Sequence, residues 1–310
     1  MSEPRQQTLA ASVTLEGVGT HSGESARLTL KPAEPGTGRR FRRVDLDGSP
    51  EIPAHFDHVV ATELGTTLGI DETRVATVEH VLAALAALDV DNALLELDGP
   101  EAPIMDGSFL PFVEAIQSVG VVEQDEPARV IEVLGPVQVA DKSGPSYVAT
   151  PSDGLRISAT IDFEHPAIGR LFGSYVAHGE RFAEELAPAR TFGFMADAEA
   201  LHARGLALGS SLENAVILDD DGVMNPDGLR FSDEFIRHKV GDIVGDLALA
   251  GARIQGHIVA ERPSHAGNMA LARTLADHAL YNGGQPIVDT SQIMQHLPHR
   301  YPMLLVDRIT

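Results

Sequence analysis

Apolar and polar positions alternate in a strand-like way between residues 8 and 30. The alternation runs around Glu16-Gly17-Val18-Gly19-Thr20-His21-Ser22-Gly23, whose glycines and small residues suggest a turn where backbone approaches something closely. The period changes at residues 77–88. Val78, Val81, Leu82, Leu85 and Leu88 recur at helical spacing, and Asp91-Asn92 closes the segment. Ala93-Leu94-Leu95-Glu96-Leu97 reads as a strand. Pro103-Ile104-Met105-Asp106-Gly107-Ser108 reads as a loop, with Ser108 placed to cap a helix over 109–119.

Glu123-Gln124-Asp125-Glu126-Pro127 is polar and ends in proline, so it marks the expected boundary between a first domain, 1–126, and a second, 127–284. The second half opens with strands expected over 129–134, 137–139, 147–150 and 155–162. A helix over 196–204, a strand over 215–218 and a turn at Asp219-Asp220-Asp221-Gly222 follow. A helix over 232–249 starts with a Ser-x-Glu-like cap at Ser232 and Glu234. A strand over 254–260 and a helix over 269–281 complete it. Each half thus mixes strands with about two helices, and no repeat is evident between them. Arg39 to Val44 is a basic knot that reads as a solvated loop. After a linker-like Asn282-Gly283-Gly284-Gln285-Pro286, a new apolar run at 303–306 reads as the opening of a further, cut-off domain over 285–310.

Composition narrows the chemistry. The 310 residues suit about two domains with their own cores. A net charge of −22 argues against non-specific nucleic-acid binding, which needs a basic face. There is no cysteine, so any metal must be held by His, Asp or Glu. No secretory signal is visible at 1–14, and no apolar run approaches the roughly 20 residues of a transmembrane segment. A cytoplasmic protein is the default expectation.

The helix expected over 232–249 carries His238, Asp242 and Asp246 at intervals of four. Such residues share a face, with Cβ atoms about 6 Å apart, and an imidazole and a carboxylate there can reach one divalent ion. The same pair on an ordinary helix is often only solvated or hydrogen-bonded. Zinc hydrolysis needs three protein ligands, an open position for water, a general base and a receiver for the oxyanion. Glu79-His80 on the earlier helix point about 100° apart, so both can border one site. Base and third ligand are plausible roles for them, and a packed histidine on a helix flank is the plain alternative. His265 lies in a Pro/Gly-bracketed loop, Arg262-Pro263-Ser264-His265-Ala266-Gly267-Asn268, where catalytic residues often sit. Thr191 stands beside an aromatic patch, and Lys239 beside His238 would ordinarily be a solvated charge.

Six segments, Gly17-Val18-Gly19-Thr20-His21-Ser22-Gly23, Thr77-Val78-Glu79-His80, Ile104-Met105-Asp106-Gly107-Ser108, Ala189-Arg190-Thr191-Phe192-Gly193-Phe194, the run from Leu229 through Lys239, and Gly241-Asp242 through Gly245-Asp246, stand out together. They resemble the UDP-3-O-acyl-N-acetylglucosamine deacetylases, zinc enzymes of lipid A synthesis. The resemblance extends from about Thr8 to Tyr281. It implies an α+β fold of two similarly built domains, helices sandwiched between two sheets, and an active site at their junction. It implies zinc on His80, His238 and Asp242, with Glu79 as general base. His265 would be cationic and oriented by Asp246, Thr191 would help hold the oxyanion, and Lys239 would lie near the substrate's polar head. Phe192, Met195, Leu64 and Phe163 would touch the UDP-linked acylated glucosamine. Where some members have Met-Leu-Cys, this chain has Glu63-Leu64-Gly65, without the thiol. Its His265 loop also departs from the Lys-Ser-Gly-His of other members.

The tail from His296 to Arg308 resembles the start of the hot-dog-fold (3R)-hydroxyacyl-acyl-carrier-protein dehydratases, with His299 matching their catalytic histidine. That implies a fused deacetylase–dehydratase with an acyl carrier protein as partner, the tail being inactive without the acidic partner expected beyond Thr310. Two other readings stay open: a zinc hydrolase of a different amide, and a catalytically silent sugar-nucleotide scaffold, against which Glu79 beside His80 argues. A His/His/Asp set also accepts Fe(II).

Overall fold

The computed structural model describes residues 4–140, 144–282, 288–289 and 308–309. Its first sheet has the strand order Val13–Val18, Ser25–Pro32, Ala93–Leu97, Arg39–Arg43, Glu51–Pro53. All neighbours are antiparallel except the pair Arg39–Arg43 with Ala93–Leu97. The second sheet runs Val137–Ala140, Ser146–Thr150, Arg253–Glu261, Leu155–Asp162, Arg170–Val176, with Val130–Glu132 also on Arg253–Glu261. It too has a parallel pair inside, Leu155–Asp162 with Arg253–Glu261.

Six α-helices are described: α1 (Glu79–Ala87), α2 (Leu110–Val119), α3 (Gly179–Glu185), α4 (Ala198–Ala203), α5 (Glu234–Leu247) and α6 (His265–Asn282). α2 lies on the first sheet, α1 packs on α2 and on α5, and α5 and α6 lie on the second sheet. The order is therefore sheet, helices, helices, sheet, an α+β sandwich with one continuous core. The central helices are buried on nearly every side. In α1 only Ala86 is not fully buried. No helix among the described residues is long and apolar enough to cross a membrane.

Most expected elements stand within a residue or two of their reading. Four differ. Arg39–Arg43 is an interior strand, not a solvated loop. Alternation sends Phe41 inward, while Arg40 and Arg42 pair with Glu51 and Arg42 reaches Glu96. Neighbouring strands neutralise the charge that suggested a loop. The polar segment ending at Pro127 is itself a strand, Val121–Pro127, antiparallel to Arg5–Leu9. α6 begins at His265, four residues before its expected start, because Ser264 caps it. The Ser264 hydroxyl accepts from Gly267 N–H at 3.1 Å and its carbonyl from Asn268 N–H at 2.8 Å. The expected helix over 196–204 is a 3-10 turn, Met195–Asp197, followed by α4. Of the tail reading only residues 288–289 and 308–309 are described, and His299 lies outside the described residues.

Candidate metal and proton-transfer site

Glu79 and His80 are the first two residues of α1, and His238, Asp242 and Asp246 lie along one face of α5. α1 crosses α5 closely enough to bring the sets together. A Cβ on Gly245 would overlap the Glu79 carbonyl, so glycine is what permits the approach. His80, His238 and Asp242 each offer an atom to one cluster in which all atoms lie within 4.8 Å of one another. His238 Nε2 is 3.3 Å and His80 Nε2 4.0 Å from Asp242 Oδ1.

The donor set fits a divalent ion. His238 Nδ1–H donates to the Ala189 carbonyl at 3.0 Å, which leaves the Nε2 lone pair facing Asp242. Asp242 Oδ2 accepts from Lys239 Nζ at 2.8 Å, while Oδ1 is buried with no hydrogen-bond partner among the described residues. A buried carboxylate oxygen without a partner is costly, and a cation would satisfy it. Burial holds His80 at about 3 and pushes His238 down as well, so both imidazoles are neutral at pH 7. Burial alone would raise Asp242; the Lys239 ammonium, aided by the His265 imidazolium, outweighs it and keeps the carboxyl ionised. Two neutral imidazoles and a carboxylate are the protonation state that ligation requires.

Two further titrating groups lie beside this cluster. Burial raises the Glu79 carboxyl to about 7. Glu79 Oε2 accepts from Thr66 N–H at 2.9 Å, and among the described residues Oε1 has no hydrogen-bond partner. His265, first in α6, would lose its proton readily through burial, but Asp246 overrides this and holds it at about 9. Asp246 Oδ2 accepts from His265 Nδ1–H at 2.7 Å and from Asn268 Nδ2 at 2.8 Å. The site thus has a carboxyl poised near neutrality and an imidazolium, both walled from water.

Lys239 is not solvated: its ammonium, mostly buried, sits on Asp242. Thr191 follows the Ala189–Arg190 segment that holds His238. Its N–H donates to the Gly107 carbonyl at 2.8 Å, and its hydroxyl has no protein partner among the described residues. Phe192 joins an aromatic group, 5.5 Å from Phe163 and 5.0 Å from Phe235 between ring centroids. Met195 and Leu64 are both about half exposed, at 47% and 50%. The segment that carries Met195 and α4 is tied to the Leu64 loop where Arg204 grips Glu63, both bonds 2.8 Å.

The family model described as UDP-3-O-acyl N-acetylglycosamine deacetylase, LpxC, matches residues 6–277. The chain belongs to this family. A UDP-3-O-acyl-N-acetylglucosamine deacetylase of Myxococcus xanthus (strain DK1622) is 49% identical over 283 residues, covering 90% of this chain and 89% of the relative. One of Geobacter sp. (strain M21) is 47% identical over 270 residues, covering 87% and 88%. A protein of Chlorobaculum tepidum (strain ATCC 49652 / DSM 12025 / NBRC 103806 / TLS) named bifunctional enzyme LpxC/FabZ is 38% identical over 342 residues, covering 98% of this chain and 73% of the relative. This LpxC-family chain is accordingly an enzyme of the deacetylase class.

Several residues that shape the site have partners that residue order does not indicate. Glu234 looks like a capping-box glutamate, yet α5 has no side-chain cap. Its carboxylate instead accepts from the Arg190 and Arg230 N–H groups and from the Arg190 guanidinium, fully buried. That bond fixes the Ala189–Thr191 segment against His238. Glu101 accepts from His21 N–H, Ser22 N–H and the Thr77 hydroxyl, joining the Gly17–Gly23 turn to the start of α1. Thr66 and Asn268 reach the proton-transfer pair through the chain's return, from positions that no motif marks.

Proposed function

We propose that this chain hydrolyses the N-acetyl group of a UDP-3-O-((3R)-hydroxyacyl)-N-acetylglucosamine, releasing acetate at the committed step of lipid A biosynthesis. His80, His238 and Asp242 would hold the metal, zinc first and Fe(II) as the alternative. When bound, zinc supplies Lewis acidity, polarising the amide carbonyl and acidifying water towards a pKa of about 7. Glu79 takes a proton from the attacking water at Oε1, the oxygen left free when Thr66 holds Oε2. The new C–O bond turns the acetyl carbon tetrahedral. The Thr191 hydroxyl and the His265 imidazolium face the negative charge that develops on its oxygen. The C–N bond then breaks, and a proton from His265 or from the newly protonated Glu79 reaches the departing amine. Lys239 keeps Asp242 ionised and presents positive charge towards the diphosphate side. Phe192, Phe163, Met195 and Leu64 offer the apolar contacts for the acyl chain and nucleoside.

The observation that carries this reading is the pairing of a base near 7 with an acid near 9 around three metal-competent side chains. The 49% and 47% identical relatives, named for this activity, support the substrate. The test is acetate release from the UDP-linked acyl sugar against free N-acetylglucosamine, after chelation and after zinc or iron readdition. Release confined to the UDP-linked sugar and restored by metal is expected. Equal turnover of both sugars, or full turnover after chelation, overturns the assignment.

The same proposal includes two units meeting at residues 126 and 127 and a third segment from residue 285. The bifunctional relative supports reading that segment as the opening of a dehydratase, with an acyl carrier protein as its partner. Deacetylation of a sugar nucleotide also carries a cytoplasmic location with it.

A further inference from the structure

One side chain connects the two proton-handling groups and belongs to neither. Thr66 is wholly buried and lies at the end of the Glu63–Gly65 loop. Its backbone N–H donates to Glu79 Oε2 at 2.9 Å, and its carbonyl accepts from Val78 N–H at 3.2 Å at the start of α1. Its hydroxyl donates to Asp246 Oδ1 at 2.6 Å and lies 3.5 Å from His265 Nδ1. Asp246 thus has Oδ1 on Thr66 and Oδ2 on His265 and Asn268, and it cannot rotate without breaking all three bonds.

We propose that Thr66 is the positioning residue of the reaction: its amide aims the Glu79 carboxylate and its hydroxyl locks the Asp246–His265 pair, holding base and acid in one register. This rests on the reading of Glu79 and His265 given above. The physical case is geometric. Base and acid come from separate helices, α1 and α6, and their mutual placement must hold to a fraction of an ångström for proton transfer. A hydroxyl with one proton can make one strong donation, and here it goes to a charged, buried acceptor, where such bonds are strongest. Thr66 bonds Glu79, Asp246 and Val78 and neither His80 nor His238 among the described residues, so its loss acts through orientation. The charged groups that act most on His265 are Asp246 and Lys239 of α5 and Glu79 of α1, and of these Asp246 alone bonds its ring.

Thr66→Val is nearly isosteric, keeps the backbone N–H and removes the hydroxyl. Thr66→Ser keeps both. In the metal-loaded full chain, Thr66→Val is expected to lower kcat by 10-fold or more, with KM and metal content within about two-fold of wild type; Thr66→Ser restores kcat to within about three-fold. A second readout does not depend on turnover. In metal-free protein labelled with 15N-histidine, Thr66→Val shifts the Nδ1–H proton and ring nitrogens of His265, and Thr66→Ser leaves them in place. Wild-type kcat in Thr66→Val, or a serine variant as impaired as the valine one, overturns the proposal. If wild-type protein fails to release acetate while the His265 resonances still respond to Thr66→Val, the functional reading falls and the coupling stands.

Discussion

At the residue scale, burial and neighbouring charge together set the charge state of the groups around the site. Glu79 is ready to accept a proton near neutrality because its ionised form lacks water. Glu79→Gln preserves shape and removes the basic oxygen. It should retain metal and substrate affinity and lose about 10²–10⁴-fold in kcat, read by steady-state kinetics on metal-loaded protein. His265 also rises, but against burial. Its folded pKa, about 9, lies above its ordinary 6.5 because the Asp246 carboxylate outweighs burial. Below pH 6.5 the proton is bound in both folded and unfolded chains, and the full stabilisation is present. It fades as pH rises through about 9, where the folded protein gives the proton up. Unfolding free energy from urea titrations should therefore fall between about pH 6.5 and 9 in wild type, and this slope should flatten in His265→Gln.

At the element scale, the site depends on how closely α1 and α5 approach. Gly241 and Gly245 lie one turn apart on α5. A Cβ on Gly241 would overlap the Phe109 ring, and one on Gly245 the Glu79 backbone. Helix propensity by itself favours alanine over glycine by about 1 kcal/mol. Against a backbone carbonyl, which cannot rotate away, the steric term wins. Gly245→Ala should cost about 1–3 kcal/mol in denaturant unfolding. Because the helices must separate, it should also weaken zinc binding, as Glu79 and His80 move from Asp242; unchanged zinc affinity in a folded variant would show that the crossing does not set the ligand geometry. The start of α5 makes a related point. Glu234 is local to the helix in sequence, yet its buried partner Arg190 is 44 residues away. The local pattern predicts a cap, and a buried guanidinium, a stronger donor, takes the carboxylate instead.

At the scale of the whole molecule, the two sheet-and-helix layers are joined by ionic contacts as well as by the shared core. Arg253, on the second sheet, reaches Asp91 at 2.6 Å and Asp89 at 3.2 Å, just beyond α1. Arg39 of the first sheet donates to the Ala248 carbonyl at 3.2 Å, at the end of α5. Every side chain assigned to the deacetylase reaction lies at or before residue 265. Removing residues 285–310 should therefore leave kcat/KM for deacetylation within a few-fold, since the reaction needs none of them. Loss of activity on truncation, or on His299→Ala alone, would make the tail part of the site.

Much of this protein is legible without coordinates. Period-two and period-3.6 patterns depend only on local geometry, so the strands at 93–97 and 155–162 and the cores of α1 and α5 follow from residue order. The spacing of His238 and Asp242 places them on one face for the same reason, one of the six family segments brings Glu79 and His80 into the reading, and the Pro/Gly-bracketed loop marks His265. Residue order does not determine partners that meet through space. Arg39–Arg43 becomes an interior strand because Glu51 and Glu96 arrive beside it. His265 becomes the start of a helix, charged against the adverse end of the helix dipole, because Asp246 lies beneath it. Thr66 gains its position because a loop 180 residues from Asp246 in the chain passes against it. The pKa values follow from burial and charge in three dimensions, and neither exists until the two layers have closed.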